Sequence, residues 1–285
     1  MKPVYEWFRQ AFAFLTPISN KEVGICMNST RSKDGTILAY DVYGSGPALL
    51  YITGASCYRS FKPIVDDAKV FATCFTVYNY DRRGRGESGN TLPYSMEREI
   101  EDVEAMIDVA GGSAYVYGHS SGAVLALEAA FRLGGKVRKV ALYDAPYVHD
   151  EKEKAEYRQL SKSVQELLDD GRNAAAMRTF LKGIGMPRVF VSLLPLFPGW
   201  QKMKALAPTL AYDIALTQDQ APVERAAEVT VPALIGVGEK SPGGLHDVAR
   251  QLAKAIPNAK FSQLTGQNHM VSAKKLLPLL SDFFR

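Results

Sequence analysis

The chain reads as an α/β protein: a mostly parallel, twisted sheet with helices on both faces and a helical lid insertion. Three features predict this. Apolar β-like runs alternate with stretches of helical period from residue 36 to residue 143, and again from 231 to 284. A charged stretch without β alternation separates the two parts. Finally, Gly118-His119-Ser120-Ser121-Gly122 stands between an apolar strand and an apolar helix, where the chain must turn sharply. Strand–helix alternation favours parallel strands, because each crossover helix covers one face of the sheet.

In chain order, residues 1–20 form an extension. Val4, Phe8, Phe12 and Leu15 fall at helical spacing, which predicts a short amphipathic helix ending near Pro17. Glu6, Arg9 and Gln10 interrupt its apolar residues, whereas a signal peptide needs an unbroken apolar run of roughly 7–15 residues. The helix is expected to pack on the body of the protein or on a second copy in a homodimer. Contact with a membrane surface is the alternative. No segment approaches the roughly 18 apolar residues of a membrane span, and a cytoplasmic location is expected.

The core spans residues 21–145 and 229–285. Runs at 21–32 and 36–43 flank Lys33-Asp34-Gly35, a hairpin signal. A short apolar strand at 48–53 ends in Thr53-Gly54-Ala55, and a helix at 60–71 precedes a buried strand at 75–80. The turn Asp81-Arg82-Arg83-Gly84-Arg85-Gly86-Glu87-Ser88 follows, with Asp81 and Arg82 expected to pin it as an ion pair. Ile100, Val103, Met106 and Ile107 mark an amphipathic helix over 96–110. After the glycine–serine turn come a buried helix closed by Gly134-Gly135 and a strand at 137–143. Residues 146–228 read as a helical cap inserted over the sheet edge. Strands at 231–238 and 259–264, with helices at 244–255 and 273–284, complete the core.

The bulk numbers exclude several classes. A net charge of +4 over 285 residues does not suggest nucleic acid as a partner. Cys26, Cys57 and Cys74 are three and far apart, against a disulfide framework or a zinc site. No metal-ligand cluster is visible, and Gly84-Arg85-Gly86 lacks the Gly-x-Gly-x-x-Gly spacing of a phosphate loop. No cofactor is expected.

The turn at 118–122 carries the chemistry. Glycine on both sides of a serine lets strand and helix approach closely and lifts the hydroxyl above the sheet at a helix N-terminus. The plain alternative is a serine that caps the helix. A serine hydroxyl needs a base within hydrogen-bond reach, and the chain has four histidines. His119 adjoins the serine and should point elsewhere; His149 opens the insertion, His246 begins a late helix, and His269 follows the last strand.

On four marks the chain resembles the α/β-hydrolases over nearly its whole length. They are the elbow 118–122, the strand end Thr53-Gly54-Ala55, the turn 81–88 and the late Gly266-Gln267-Asn268-His269. The turn matches the family's Asp-x-Arg-Gly-x-Gly-x-Ser; the strand end departs from it, with threonine in place of histidine in His-Gly. The resemblance is greatest to compact bacterial esterase, lactonase and perhydrolase-like members. It implies Ser120 as nucleophile and His269 as base. It also implies an acid three residues after the glycine closing the next-to-last strand, and that position is Ser241. Asp144, after the strand that follows the elbow helix, is the favoured substitute; Glu239 is the alternative, and a bare Ser–His dyad stays open. The backbone N–H groups of Ser121 and Ala55 are the expected oxyanion donors.

The expected activity is cleavage of a small-to-medium carboxylic ester, lactone or thioester through an acyl-enzyme, with a small-molecule acyl substrate as partner. Met186, Phe190, Leu193, Leu194, Phe197, Trp200 and Met203 line an apolar pocket or form the cap's packing face. Two alternatives remain: carbon–carbon bond hydrolysis or a lyase reaction at the same site, and a non-catalytic ligand receptor on this scaffold. The missing acid is the ground for the receptor.

Overall fold

The computed structural model describes residues 28–197 and 199–285. The expected amphipathic helix in residues 1–20, the start of the first β run and Cys26 lie outside the described residues. Strand β1 (Asn28–Arg31) pairs antiparallel with β2 (Ile37–Tyr43) around the turn at Asp34. There Asp34 Oδ1 accepts from Thr36 N at 2.9 Å, a side-chain turn that fixes the hairpin register. Next come β3 (Ala48–Ile52), α1 (Lys62–Phe71), β4 (Thr76–Tyr80) and α2 (Met96–Val109). The chain then makes β5 (Ala114–His119), α3 (Ser121–Leu133) and β6 (Val137–Tyr143). Its last core elements are β7 (Ala233–Gly238), α10 (Gly243–Ala255), β8 (Ala259–Leu264) and α11 (Ala273–Phe284).

These strands form one eight-stranded sheet in the order β1-β2-β4-β3-β5-β6-β7-β8. The pairs β1–β2 and β2–β4 are antiparallel and the others parallel. The central strands read as unbroken apolar runs because both of their faces are covered. On β3, Leu50 and Ile52 pack toward α2 and α3, while Leu49 and Tyr51 pack toward α1 and α11. On β5, Val116 goes one way and Tyr115 and Tyr117 the other. The two-residue period of the strand thus feeds two apolar layers at once.

Between β6 and β7 the named elements are helical: α4 (Glu151–Asp169), α5 (Asn173–Gly183), α6 (Arg188–Leu193), α7 (Trp200–Ala205), α8 (Leu210–Thr217) and α9 (Val223–Ala226). This segment carries an apolar cluster of its own, including Val164, Met177, Phe180, Val191, Trp200 and Leu210. Helix α4 starts where Asp150 accepts from Glu153 N at 2.8 Å, an N-cap that stops the sheet connection from running on.

The turn after β4 joins these parts. Arg82, Arg83 and Arg85 are all buried, which requires acids at hydrogen-bond distance. Arg82 meets Glu99 of α2 through two bonds of 2.6 and 2.7 Å and Asp213 of α8 at 3.0 Å. Arg85 grips both oxygens of Asp213 at 2.7 and 2.8 Å and donates to Gly54 O at 2.8 Å. Arg83 takes Asp102 and Asp34. The expected Asp81–Arg82 pair is therefore absent: Asp81 accepts from Arg59 N and lies 3.2 Å from Arg59 Nε. Adjacent residues of a tight turn point apart, so each charge finds its partner on another element.

Burial alone would push the Asp213 carboxyl up, but Arg85, Arg82 and the Ser121 hydroxyl outweigh it and hold it below the usual carboxylate range. Removing that carboxylate leaves the buried Arg85 without an acid and Arg82 with Glu99 alone. Asp213→Ala is expected to lower the unfolding free energy by about 3–5 kcal/mol. Loss of the exposed Lys62–Asp66 pair in Lys62→Ala should cost at most about 0.5 kcal/mol. Urea unfolding of both variants checks the contrast.

Candidate active site

Strands β5, β6 and β7 end side by side, and each delivers a residue to one corner. The elbow at the end of β5 depends on two glycines. A Cβ at Gly118 would meet Gly122 O at 2.3 Å, and one at Gly122 would meet Ile52 O at 2.3 Å. Nothing larger allows α3 to leave β5 so close to β3. Between them Ser120 sits at φ +56, a conformation disfavoured for a side chain. Its hydroxyl makes no capping bond to α3, so the cap explanation fails. The Oγ lies instead 3.2 Å from His269 Nε2.

His269 Nδ1 in turn donates to Asp144 Oδ2 at 3.1 Å. Asp144 is buried and also at positive φ, +50. Its N–H is tied to Gly236 O of β7 at 3.1 Å, as Ser120 N is tied to Tyr143 O of β6 at 3.0 Å. Its carboxylate is fully engaged, accepting from Gly238 N at 3.2 Å and from Ser241 Oγ at 2.6 Å. Ser241 thus meets the acid from the neighbouring strand with a hydroxyl. Glu239 does not come to this corner: it is exposed, and its carboxylate accepts from Gly266 N at 2.5 Å.

His119 does not point away from the site, as expected, but against it. Its Nε2–H donates to the His269 carbonyl at 2.8 Å, with the two rings 5.0 Å apart. Tyr143 Oη donates to Asn268 O at 2.8 Å and Lys240 N to Gln267 O at 2.8 Å. The loop that carries His269 is therefore held at three successive carbonyls. His149 lies elsewhere, 3.4 Å from Asp247.

Ala55 and Ser121 both border the same cavity. Among the described residues neither backbone N–H donates to a protein acceptor. The Ser121 side chain donates to Asp213 at 2.7 Å, which ties the residue after Ser120 to the buried ionic cluster. The cavity holds about 900 Å³, within the usual range for small-molecule sites. From the helical segment Met186, Phe190, Leu194 and Met203 line it. Trp200 is buried in that segment's own cluster and Leu193 is exposed, so the expected apolar set divides between pocket and packing. Cys57 also lines the cavity, with burial pushing its thiol up to about 12, so it stays a neutral small hydrophobe. Among the described residues no cluster of His, Cys, Asp and Glu could hold a metal, and no helix is long and apolar enough to cross a membrane.

Comparison with known proteins settles the family. The model of the alpha/beta hydrolase family matches residues 44–274. The chain belongs to that family. A solved structure of an alpha/beta hydrolase from Sphaerobacter thermophilus is 38% identical, with a TM-score of 0.81, covering 90% of this chain and all of that one. The protein RutD of Azorhizobium caulinodans is 25% identical over 251 residues, 83% of this chain and 89% of its own. The hydrolase YraK of Bacillus subtilis is 33% identical over 109 residues; that match spans 37% of this chain and 40% of YraK. As an alpha/beta hydrolase, the chain is placed among hydrolytic enzymes, and the eight-stranded, mostly parallel sheet is that of the fold its four motifs pointed to.

Burial, reinforced by the charge of His269, pushes His119 down to about 4. The unfolded chain takes up this proton near 6.5, the folded protein only near 4, so falling pH favours unfolding across that window. At pH 5 the cost is about 2 kcal/mol. His119→Gln keeps an N–H for the His269 carbonyl but cannot titrate. The loss of unfolding free energy between pH 7 and pH 5, read by urea denaturation, should shrink by about that amount in the variant.

Proposed function

We propose that this protein is a serine hydrolase that cleaves a small-to-medium carboxylic ester, lactone or thioester through an acyl-enzyme. The observation that carries the reading is the unbroken relay from Ser120 Oγ to His269 at 3.2 Å and on to Asp144 at 3.1 Å. Ser120 attacks the substrate carbonyl while His269 Nε2 takes the hydroxyl proton. Asp144 accepts from Nδ1–H, which fixes the tautomer and offsets the charge of the imidazolium. The N–H groups of Ser121 and Ala55, free of protein acceptors, serve the tetrahedral oxyanion; each such donor is worth roughly 3–4 kcal/mol of barrier. His269 then protonates the departing alkoxide or thiolate. Water, deprotonated by the same imidazole, releases the acid and restores Ser120.

In this reading residues 146–228 act as a cap on a core of 21–145 and 229–285. The cap's separate apolar cluster and its cavity-lining side chains, Met186, Phe190, Leu194 and Met203 among them, support that role. The receptor alternative loses its ground, because a carboxylate does stand against His269.

A fluorophosphonate probe should label the wild-type protein at one site, read by mass spectrometry, and fail to label Ser120→Ala. An unlabelled wild type would end the reading. With p-nitrophenyl butyrate, Asp144→Asn should lower kcat by roughly 10³–10⁴-fold by leaving His269 in the wrong tautomer. Glu239→Gln should leave turnover within about twofold, since a lone surface carboxylate is poorly coupled to the site.

A further inference from the structure

The cavity extends beyond Ser120 and His269. From the sheet and α1 it is lined by Tyr51 of β3, Tyr117 of β5, and Ile64 and Asp67 of α1. Asp67 differs from the other inward-facing carboxylates. Asp41, Glu99, Asp102, Glu128 and Asp213 each have an arginine, and Asp144 has His269. Among the described residues Asp67 has no basic partner. Its one hydrogen bond is a long one, from Tyr51 Oη at 3.4 Å. The neighbouring Asp66 is occupied by Lys62 at 2.5 Å. Burial pushes Asp67 up to about 7, against the opposing effect of the Tyr51 bond.

The phenols around it are neutral. Burial raises Tyr51 and Tyr117 well above their ordinary range, and their rings stack at 5.3 Å. Among the described residues the Tyr117 hydroxyl has no hydrogen-bond partner. This end of the cavity therefore offers one carboxyl and two phenolic oxygens, and among the described residues Asp67 has no ion pair to a protein cation. Such a set of acceptors is complementary to an organic ammonium group, whose three donors and positive charge it would satisfy. Opposite a neutral ligand end the buried carboxyl keeps its proton, whereas an ammonium group favours its ionised form.

We propose that Asp67, with the hydroxyls of Tyr51 and Tyr117, forms an ammonium-binding subsite, so that the ester substrate carries a primary amine at the end away from its reacting carbonyl. The substrate half of this statement rests on the serine hydrolase reading; the subsite itself does not. Tyr117 lies three residues before Ser120, which puts their Cα atoms about 10 Å apart at roughly 3.3 Å per strand residue. A seven-atom aminohexanoyl chain spans that distance only together with an ammonium–carboxylate contact of about 2.8 Å.

Calorimetric titration of the full-length protein with n-hexylammonium chloride and with 1-hexanol tests the subsite without any turnover. Hexylammonium should bind at least roughly tenfold more tightly than hexanol, as expected for a desolvated charge pair. Asp67→Asn should erase that preference while leaving hexanol binding unchanged. Equal affinities in the wild type, a comparison that needs no variant, would overturn the proposal; so would a preference that survives Asp67→Asn. The substrate half is read from p-nitrophenyl 6-aminohexanoate against the isosteric heptanoate, after subtraction of the uncatalysed rates. Asp67→Asn should lower kcat/KM for the amino ester at least roughly tenfold and spare the heptanoate. Ammonium preference with both esters inert keeps the subsite and sinks the hydrolase reading. Both esters cleaved alike, with no ammonium preference, does the reverse.

Discussion

The structure depends on a buried exchange of charge. Arg82 and Arg85 enter the interior from one tight turn, and the acids that neutralise them, Glu99 and Asp213, come from α2 and α8. Neither side tolerates burial alone, because the desolvation of an unpaired ion amounts to several kcal/mol. The inserted helices are thus tied to the turn after β4 by a contact in which removal of either partner leaves the other charge buried. The same contact reaches the site: Arg85 donates to Gly54 O, Arg82 and Asp213 both meet Ser121 Oγ, and Arg82 also donates to Thr53 O. One cluster of ions therefore sets the two backbone segments that flank Ser120.

Around that cluster, backbone constraint replaces side-chain contact as the means of positioning. Ser56, Ser120 and Asp144 are the non-glycine residues at positive φ among the described ones, and Ser56 and Ser120 border the cavity. Each such conformation stores roughly 1–3 kcal/mol. The parallel register that pairs His119 with Tyr143 brings the ends of β5 and β6 level, and bonds from Ser120 N to Tyr143 O and from Asp144 N to Gly236 O lock them there. His269 arrives on a loop, five residues past β8, and so needs separate restraint. His119 and Tyr143 supply it through the carbonyls of His269 and Asn268.

Much of this was legible in the sequence. The order of strands and helices follows from apolar period. Turn chemistry and family resemblance single out Ser120 and His269 and favour Asp144 over Glu239 or a bare dyad, and the structure brings these three within hydrogen-bond reach. What escaped was pairing over distance. Asp213 lies in a helix whose composition gives no sign of a task, and its arginines are 131 and 128 residues away in the chain. The Asp81–Arg82 expectation failed because adjacency in sequence is not adjacency in a turn. In the sequence Ser241 is only a gap in a motif, since a hydroxyl carries no charge to advertise its partner. Asp67 gave no signal either, as a second acid beside Asp66 on a helix reads as a solvated face.

Ser241 also limits which residues can coexist at this corner. With its oxygen 2.6 Å from Asp144 Oδ2, a carboxylate at 241 would stand against a second carboxylate, and only a shared proton would reconcile them. The corner admits one negative group at a time. An aspartate at 144 obliges a neutral donor across from it, and a relative that keeps its acid at the other strand needs something uncharged here. Moving that role between the two strands is a paired exchange, out of reach of any single substitution.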